Sequence, residues 1–282
     1  YLNELMMDDN SGQPSAKEVF DTTPYTILVV DDNPDMTDFL KRTFEGYFKR
    51  IIIAGDGGEA LQLVRSHVPD IIVSDVMMPR MNGYKLCKTI KEDINISHIP
   101  VILLTARDDR QSQISGYKNG ADGYLSKPFE VEMLMELIRN RLKNREYTKK
   151  RYLNAGLIPT PEESTISLTD ETFLIKLNSI IQENIENSNL GIQFICQEVG
   201  LGRSSLYNKL KALTGMGANE YISKLRIEKA ITLISGTDMP FSEIAEKTGF
   251  TTPSYFSTAF KQYTGETPSQ YKERKKKGLA DK

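Results

Sequence analysis

The chain has 282 residues, of which 39% are hydrophobic and 26% charged, a balance that suits one large globular domain or two ordinary ones. No apolar run approaches the ~18 residues of a membrane helix, and no basic, apolar, small-residue leader opens the sequence. The net charge of −2 hides an uneven spread: one base and five acids over residues 1–23, 19 and 18 over 24–150, two and seven over 151–200, and 14 and eight over 201–282, so only the last stretch has the positive balance of a polyanion-binding surface.

Cys87 and Cys196 are the two cysteines, too far apart in sequence to suggest a disulfide framework, and they point to a reducing compartment. With only two histidines beside them they make no convincing zinc site. A first residue of Tyr1 is expected of a piece cut from a longer chain.

Residues 1–23 are polar and acidic and read as a tail or linker. Short apolar runs at 27–30, 51–54, 71–74, 101–104 and 124–125 then have strand length. Helical spacing lies between and after them, over 36–44 (Met36, Phe39, Leu40), 59–68 (Leu61, Val64, Val68) and 131–142 (Leu134, Leu137, Ile138). This alternation predicts a doubly wound α/β domain over 24–144, a five-stranded parallel sheet covered on both faces. A basic, polar stretch and the helix breakers Pro159 and Pro161 mark a linker over 145–168. From 169 to 278 the pattern is all helical, opening on an apolar stripe of Phe173, Leu174, Leu177, Ile180, Ile181 and Ile185.

Parallel sheets of this kind bind ligands beyond the carboxyl ends of their strands. Those ends carry Asp31 and Asp32, Asp75, Thr105, and Lys127 before Pro128. Three carboxylates brought together repel one another unless a cation joins them, and oxygen ligands that leave room for water suit Mg2+ beside a phosphate. An Asp carboxylate flanked by a metal and a lysine is equipped to attack phosphorus.

The motifs ILVVDDNP, PDIIVSDVMMPRMNG, VILLTA and GADGYLSKPF at the first, third, fourth and fifth strands resemble the receiver domain of two-component response regulators, which has the flavodoxin-like fold. The resemblance implies that Asp75 is the phosphoacceptor and that Asp31, Asp32, Asp75 and the backbone carbonyl of Met77 hold magnesium. It places Thr105 and Lys127 on the phosphoryl group, makes Thr105 and Tyr124 a switch pair, and implies a cis bond between Lys127 and Pro128. Gly83 falls in the turn after the site, where a side chain would obstruct the backbone.

An internal repeat follows. ICQEVGL from Ile195 matches IAEKTGF from Ile244 at an offset of 49, and beyond one inserted residue Leu206, Leu210 and Tyr221 pair with Phe256, Phe260 and Tyr271 at an offset of 50. Each copy reads as helix, glycine turn, helix, the arrangement that places its second helix in a DNA major groove. A connecting helix over 219–235, about 25 Å long, could present two such units to successive major-groove segments roughly 34 Å apart. A helical repeat built for protein contact is the alternative. The stretch GFTTPSYFSTAFKQYTGETPSQYKER resembles the DNA-binding domain of AraC-type transcription regulators, with one departure in the first copy, Gly217-Ala218 where the second has Thr267-Pro268.

With Leu206, Leu210, Phe256 and Phe260 facing the core, Arg203, Ser204, Tyr207 and Asn208 face the groove in the first copy, and Pro253, Ser254 and Thr258 in the second. Asn208 can pair with an adenine edge, while Lys209, Lys211, Ser257 and Lys261 are expected on phosphates. Arg274 and the three lysines after it read equally as a solvated tail or as a source of nonspecific phosphate attraction.

A receiver joined to such a domain implies a phosphorylation-controlled transcription regulator rather than an enzyme. Its expected partners are promoter DNA, a histidine kinase, a second copy of the chain in the active state and RNA polymerase. The pairing also resembles the carboxyl-terminal end of Bacteroides-type hybrid sensors, many of which govern glycan-utilisation genes, and this implies a cytoplasmic position at the end of an inner-membrane protein. A phosphatase with an Asp nucleophile and a phosphate-gated protein adaptor are the competing classes; the first usually places its two carboxylates two residues apart, whereas Asp31 and Asp32 are adjacent.

Overall fold

The computed structural model describes residues 20–106, 120–154 and 167–280. The expectations for residues 1–19 and for the prolines at 159 and 161 lie outside the described residues. Strands β1 (Thr26–Val30), β2 (Arg50–Ala54), β3 (Ile71–Asp75), β4 (Val101–Ala106) and β5 (Gly123–Lys127) form one parallel sheet in the order β2-β1-β3-β4-β5. Successive residues of a strand point to opposite faces. Leu28, Val30 and Ile72 therefore join one apolar layer with Ala60, Val64, Leu86 and Ile90. Ile27, Val29, Ile71 and Val73 join another with Leu40, Phe44, Leu134 and Ile138. Burial on both faces explains why the strands read as continuous apolar runs.

The covering helices are α1 (Pro34–Phe44), α2 (Gly57–His67), α3 (Gly83–Glu92) and α4 (Val131–Asn154). The first three start at side-chain caps that follow strand ends: Asn33 accepts from the Asp35 amide at 2.9 Å, Asp56 from the amides of Gly58 and Glu59, and Asn82 from the Lys85 amide at 2.9 Å. The helical pattern around Cys87 is α3, defined by its cap and by its buried Leu86, Cys87 and Ile90. Helix α4 runs past the expected linker start at 145. No Gly or Pro interrupts it, and Arg145 fastens its second half, donating to the carbonyl of Asp70 at 3.1 Å with the Asp70 carboxylate 3.7 Å away.

Seven helices follow among the described residues: α5 (Leu168–Glu183), α6 (Ile192–Val199), α7 (Arg203–Thr214), α8 (Ala218–Gly236), α9 (Phe241–Lys247), α10 (Pro253–Thr264) and α11 (Pro268–Ala280). Helix α8 serves two cores. Its Tyr221, Ile222 and Leu225 pack with Phe173, Leu177, Leu206 and Leu210, whereas its Ile227, Ala230 and Ile234 pack with Ile244, Phe256 and Phe260. The departure at Gly217 leaves the start of α8 in place: the Gly217 amide donates to Glu220 at 3.3 Å, as the Thr267 amide donates to Gln270 at 2.9 Å before α11. Among the described residues no helix is long and apolar enough to cross a membrane.

Candidate functional site

The sheet brings Asp31, at the end of β1, Asp75, at the end of β3, and Lys127, at the end of β5, to one edge. The Lys127 ammonium lies 2.8 Å from Asp31 and 2.5 Å from Asp75. Both carboxylates are buried, and their other oxygens are also held, that of Asp31 by the Asn33 amide at 2.9 Å and that of Asp75 by the Met77 amide at 2.7 Å. Burial pushes the Asp75 carboxyl upward, against the pull of the Lys127 ammonium, and the nearby Asp31 charge adds to the rise. Burial opposes the charge on Lys127, but its hydrogen bonds to Asp31 and Asp75 outweigh that and hold its pKa above the ordinary lysine value. Asp32 stands exposed beside them.

Thr105, on β4 opposite Ser126 of β5, is 2% exposed, and its hydroxyl is buried without a hydrogen-bond partner among the described residues. A buried donor of this kind normally has a partner. Tyr124 is half-buried against the layer that contains α2 and α3. The bond between Lys127 and Pro128 is cis. A Cβ on Gly83 would lie 2.2 Å from the Asp75 carbonyl oxygen, so only glycine lets the backbone pass this close to the site. An ion pair between Arg80 and the cap residue Asp56 borders the same edge, and no sequence expectation named it.

The donors Asp31, Asp32, Asp75 and the Met77 carbonyl are all oxygen, which suits magnesium by chemistry. Among the described residues no three His, Cys, Asp or Glu side chains already form a metal cage. Instead, one ammonium compensates two of the carboxylates. Such an edge offers an acceptor oxygen, a cation and a free hydroxyl to a tetrahedral anion.

At the other end of the chain, Arg203, Ser204, Tyr207, Asn208 and Lys211 are exposed along one side of α7. On α10, Pro253, Ser254, Thr258 and Lys261 are exposed, while Ser257 is half-buried and its hydroxyl donates to the Pro253 carbonyl at 2.9 Å. Lys209 corrects the expectation of a phosphate contact. It is wholly buried, pairs with Asp170 and donates to the Ser97 hydroxyl at 2.8 Å, which turns its charge away from the exposed side of α7. Arg274 lies on α11 rather than in a free tail, paired with Glu266 at 2.7 Å and stacked 5.0 Å from the Tyr271 ring.

A family model of the response regulator receiver domain matches residues 27–139, and one of a helix-turn-helix domain matches residues 195–274. The histidine kinase P4 of Formosa agariphila is 41% identical over 249 residues, covering 88% of this chain and 18% of that protein. The DNA-binding response regulator MtrA of Mycolicibacterium smegmatis is 36% identical over 48% of this chain and 58% of its own length. The response regulator MprA of Mycobacterium sp. (strain KMS) is 36% identical over 54% of this chain and 70% of its own. The chain thus spans about a fifth of the kinase and somewhat over half of MtrA.

Proposed function

Because this chain belongs to the response regulators, with a receiver domain followed by an AraC-type helix-turn-helix domain, we propose that it takes a phosphoryl group on Asp75 from a histidine kinase and thereby changes its binding to promoter DNA. An Asp75 oxygen attacks phosphorus, the bond from phosphorus to the histidine nitrogen breaks, that nitrogen takes up a proton, and an acyl phosphate remains on Asp75. Bound magnesium would neutralise charge on the phosphoryl oxygens, and Asp31, Asp32, Asp75 and the Met77 carbonyl are the groups that would hold it. Lys127 then exchanges its carboxylate partners for a phosphoryl oxygen, and the Thr105 hydroxyl donates to another. Thr105 and Tyr124 pass the change on by shifting a receiver equilibrium that exists without phosphate.

The output is sequence-specific DNA binding through Arg203, Ser204, Tyr207, Asn208 and Lys211 of the first unit and Pro253, Ser254, Ser257, Thr258 and Lys261 of the second. Pairing of two chains raises DNA affinity through effective concentration without new base contacts, and promoter-bound dimers act on RNA polymerase. The similarity to a Formosa histidine kinase supports a kinase on the same polypeptide and a cytoplasmic position for this part of it. The proposed target genes serve glycan use, on the resemblance to hybrid sensors alone.

The observation that carries this reading is the Lys127 ammonium held between Asp31 and Asp75 beside a buried Thr105 hydroxyl that has no partner among the described residues. Incubation with magnesium and a small phosphodonor should add one phosphoryl group to the intact mass of the wild-type chain and none to Asp75→Asn. Wild-type uptake by Asp75→Asn would sink the assignment.

A further inference from the structure

Lys209 stands on the first recognition helix, yet its surroundings are those of an interface. Its ammonium pairs with Asp170 of α5 and donates to Ser97 at 2.8 Å, and Ser97 donates to Asp170 at 2.7 Å. Each of these three residues is at most 2% exposed. The triangle crosses a boundary. Ser97 belongs to the connection between α3 and β4, whereas Asp170 and Lys209 belong to the helical part. Thr169 adds a second tie, its hydroxyl donating to the Lys91 carbonyl at 2.9 Å, and Ile94 packs against the first helical core.

The repeat supplies an internal control. At the offset that aligns the two recognition helices, Lys209 corresponds to Ala259, a half-buried residue packed against the second core. A unit of this kind therefore forms without a cation at that position. The two helices differ in their neighbours: α7 packs along α4 of the receiver, with Ala212 and Leu213 beside Arg141, Asn144 and Arg145, whereas α10 packs against α8, α9 and α11. A buried ion pair is a poor source of net stability and a good device for fixing register, because a misplaced partner leaves a desolvated charge.

We propose that Lys209 is the key of a latch that holds the first DNA-reading unit against the receiver in one register, closed by Ser97 and Asp170. The inference rests on the regulatory reading above for its purpose, since it makes the orientation of α7 follow the receiver. The latch does not plug the groove-facing side: Arg203, Tyr207 and Asn208 stay exposed while it is closed.

The test compares the whole chain carrying Lys209→Met or Ser97→Ala with wild type, by amide hydrogen exchange and by DNA binding over a salt series. Ser97→Ala lies in the receiver and leaves the helical part its own ion pair, so it guards against simple misfolding of that part. Both variants should speed exchange at least about fivefold in residues 94–100 and in α7 alike, the low end of what one unsatisfied buried polar group produces, with the salt slope of DNA binding unchanged. A slope shallower by about one in Lys209→Met, with exchange at 94–100 as in wild type, would make Lys209 a phosphate contact and overturn the latch. A Ser97→Ala effect confined to 94–100 would overturn it as well. Phosphoryl uptake is measured on the same samples; its absence from wild type overturns the regulatory reading, and the exchange comparison still decides the latch.

Discussion

The two recognition helices share a frame and differ in what supports them. Both α7 and α10 have 12 residues and end on a left-handed glycine, Gly215 at φ 76 and Gly265 at φ 82. Beneath α10 lies an aromatic ladder, with ring centroids of Phe250 and Phe256 5.4 Å apart, Phe256 and Phe260 5.7 Å, and Phe260 and Tyr271 5.6 Å. Beneath α7 the equivalent positions are Leu206, Leu210 and Tyr221, and the support comes from outside the unit. Phe173, Leu174 and Leu177 of α5 share its core, Tyr221 donates to Asn178 at 2.8 Å, and the receiver closes over Lys209. The same frame is thus self-supporting in one copy and dependent on its neighbours in the other, and the dependent copy is the one in contact with the receiver domain.

Removing the ladder tests self-support most severely. Phe256 is wholly buried at its centre, and Phe256→Ala should cost about 3–5 kcal/mol. Hydrogen exchange should show the loss in α9, α10 and α11 and leave α7 near its wild-type rates. Equal loss in both units would mean that they unfold together and that the contrast in support has no energetic meaning.

The contrast in DNA reading comes next. The Asn208 side chain is exposed on the side of α7 proposed to face DNA, whereas the Thr258 hydroxyl of α10 already donates to the Ser254 carbonyl at 3.1 Å. Asn208→Ala should cost about 1–3 kcal/mol on the selected DNA site and little on random DNA. Thr258→Ala should cost less than Asn208→Ala on both, since its donor is already used inside the helix. Competition titrations with specific and random duplexes measure the ratio, and a larger loss from Thr258→Ala would exchange the roles of the two helices.

Acid should separate the copies too. His98, next to Ser97, is 8% exposed, its Nδ1 is buried without a partner among the described residues, and it lines the cavity where α4 meets α7. Burial, then the charges of Arg145, Lys209, Lys91 and Lys149, hold its pKa well below the ordinary 6.5; Arg141, Asp122 and Asp170 line the same cavity. Opening the interface would let the ring bind a proton that the docked form refuses. A group whose pKa is depressed in the docked state in this way favours docking above its ordinary pKa, and docking weakens as pH falls below it, by at most ~1.4 kcal/mol per pH unit for one proton. Exchange in α7 should therefore quicken between about pH 6.5 and 5.5 relative to α10 after correction for the intrinsic rate, and His98→Gln should flatten the difference. A parallel response of both helices would detach His98 from the comparison.

The convergence of Asp31, Asp75 and Lys127 on one edge was legible because strand period and strand ends are local signals. Asp31, Asp75 and Lys127 each terminate a short apolar run, and the parallel sheet carries all such ends to one side. The core of the repeat was legible for a similar reason, since Leu206 with Leu210 and Phe256 with Phe260 keep helical spacing. The interface was not. A lysine between Asn208 and Leu210 reads as solvated because its partners, Asp170 and Ser97, are 39 and 112 residues away, and nothing in the local pattern announces them. The reach of α4 was hidden likewise: its basic second half looks like a linker until Arg145 meets Asp70, 75 residues earlier. Where a polar residue's partner is distant in sequence, composition reports only the polarity.

The smallest difference between the two recognition helices lies at their starts. Helix α10 begins after Thr252, whose hydroxyl accepts from the Tyr255 amide at 3.2 Å, with Pro253 preset at the first helical position. Helix α7 begins after Gly202, which offers no side-chain cap. Thr252→Ala should therefore cost about 1 kcal/mol in the first turn of α10. In α7 the reverse change is open, because a Cβ on Gly202 meets nothing within 4 Å among the described residues. Gly202→Ser should return a few tenths of a kcal/mol, read as slower exchange of the Ser204 and Ser205 amides. If Gly202→Ser instead loosens α7, the glycine is holding an entry angle set by the docked receiver, and the start of the helix joins Lys209 among the features that the first copy owes to its neighbour.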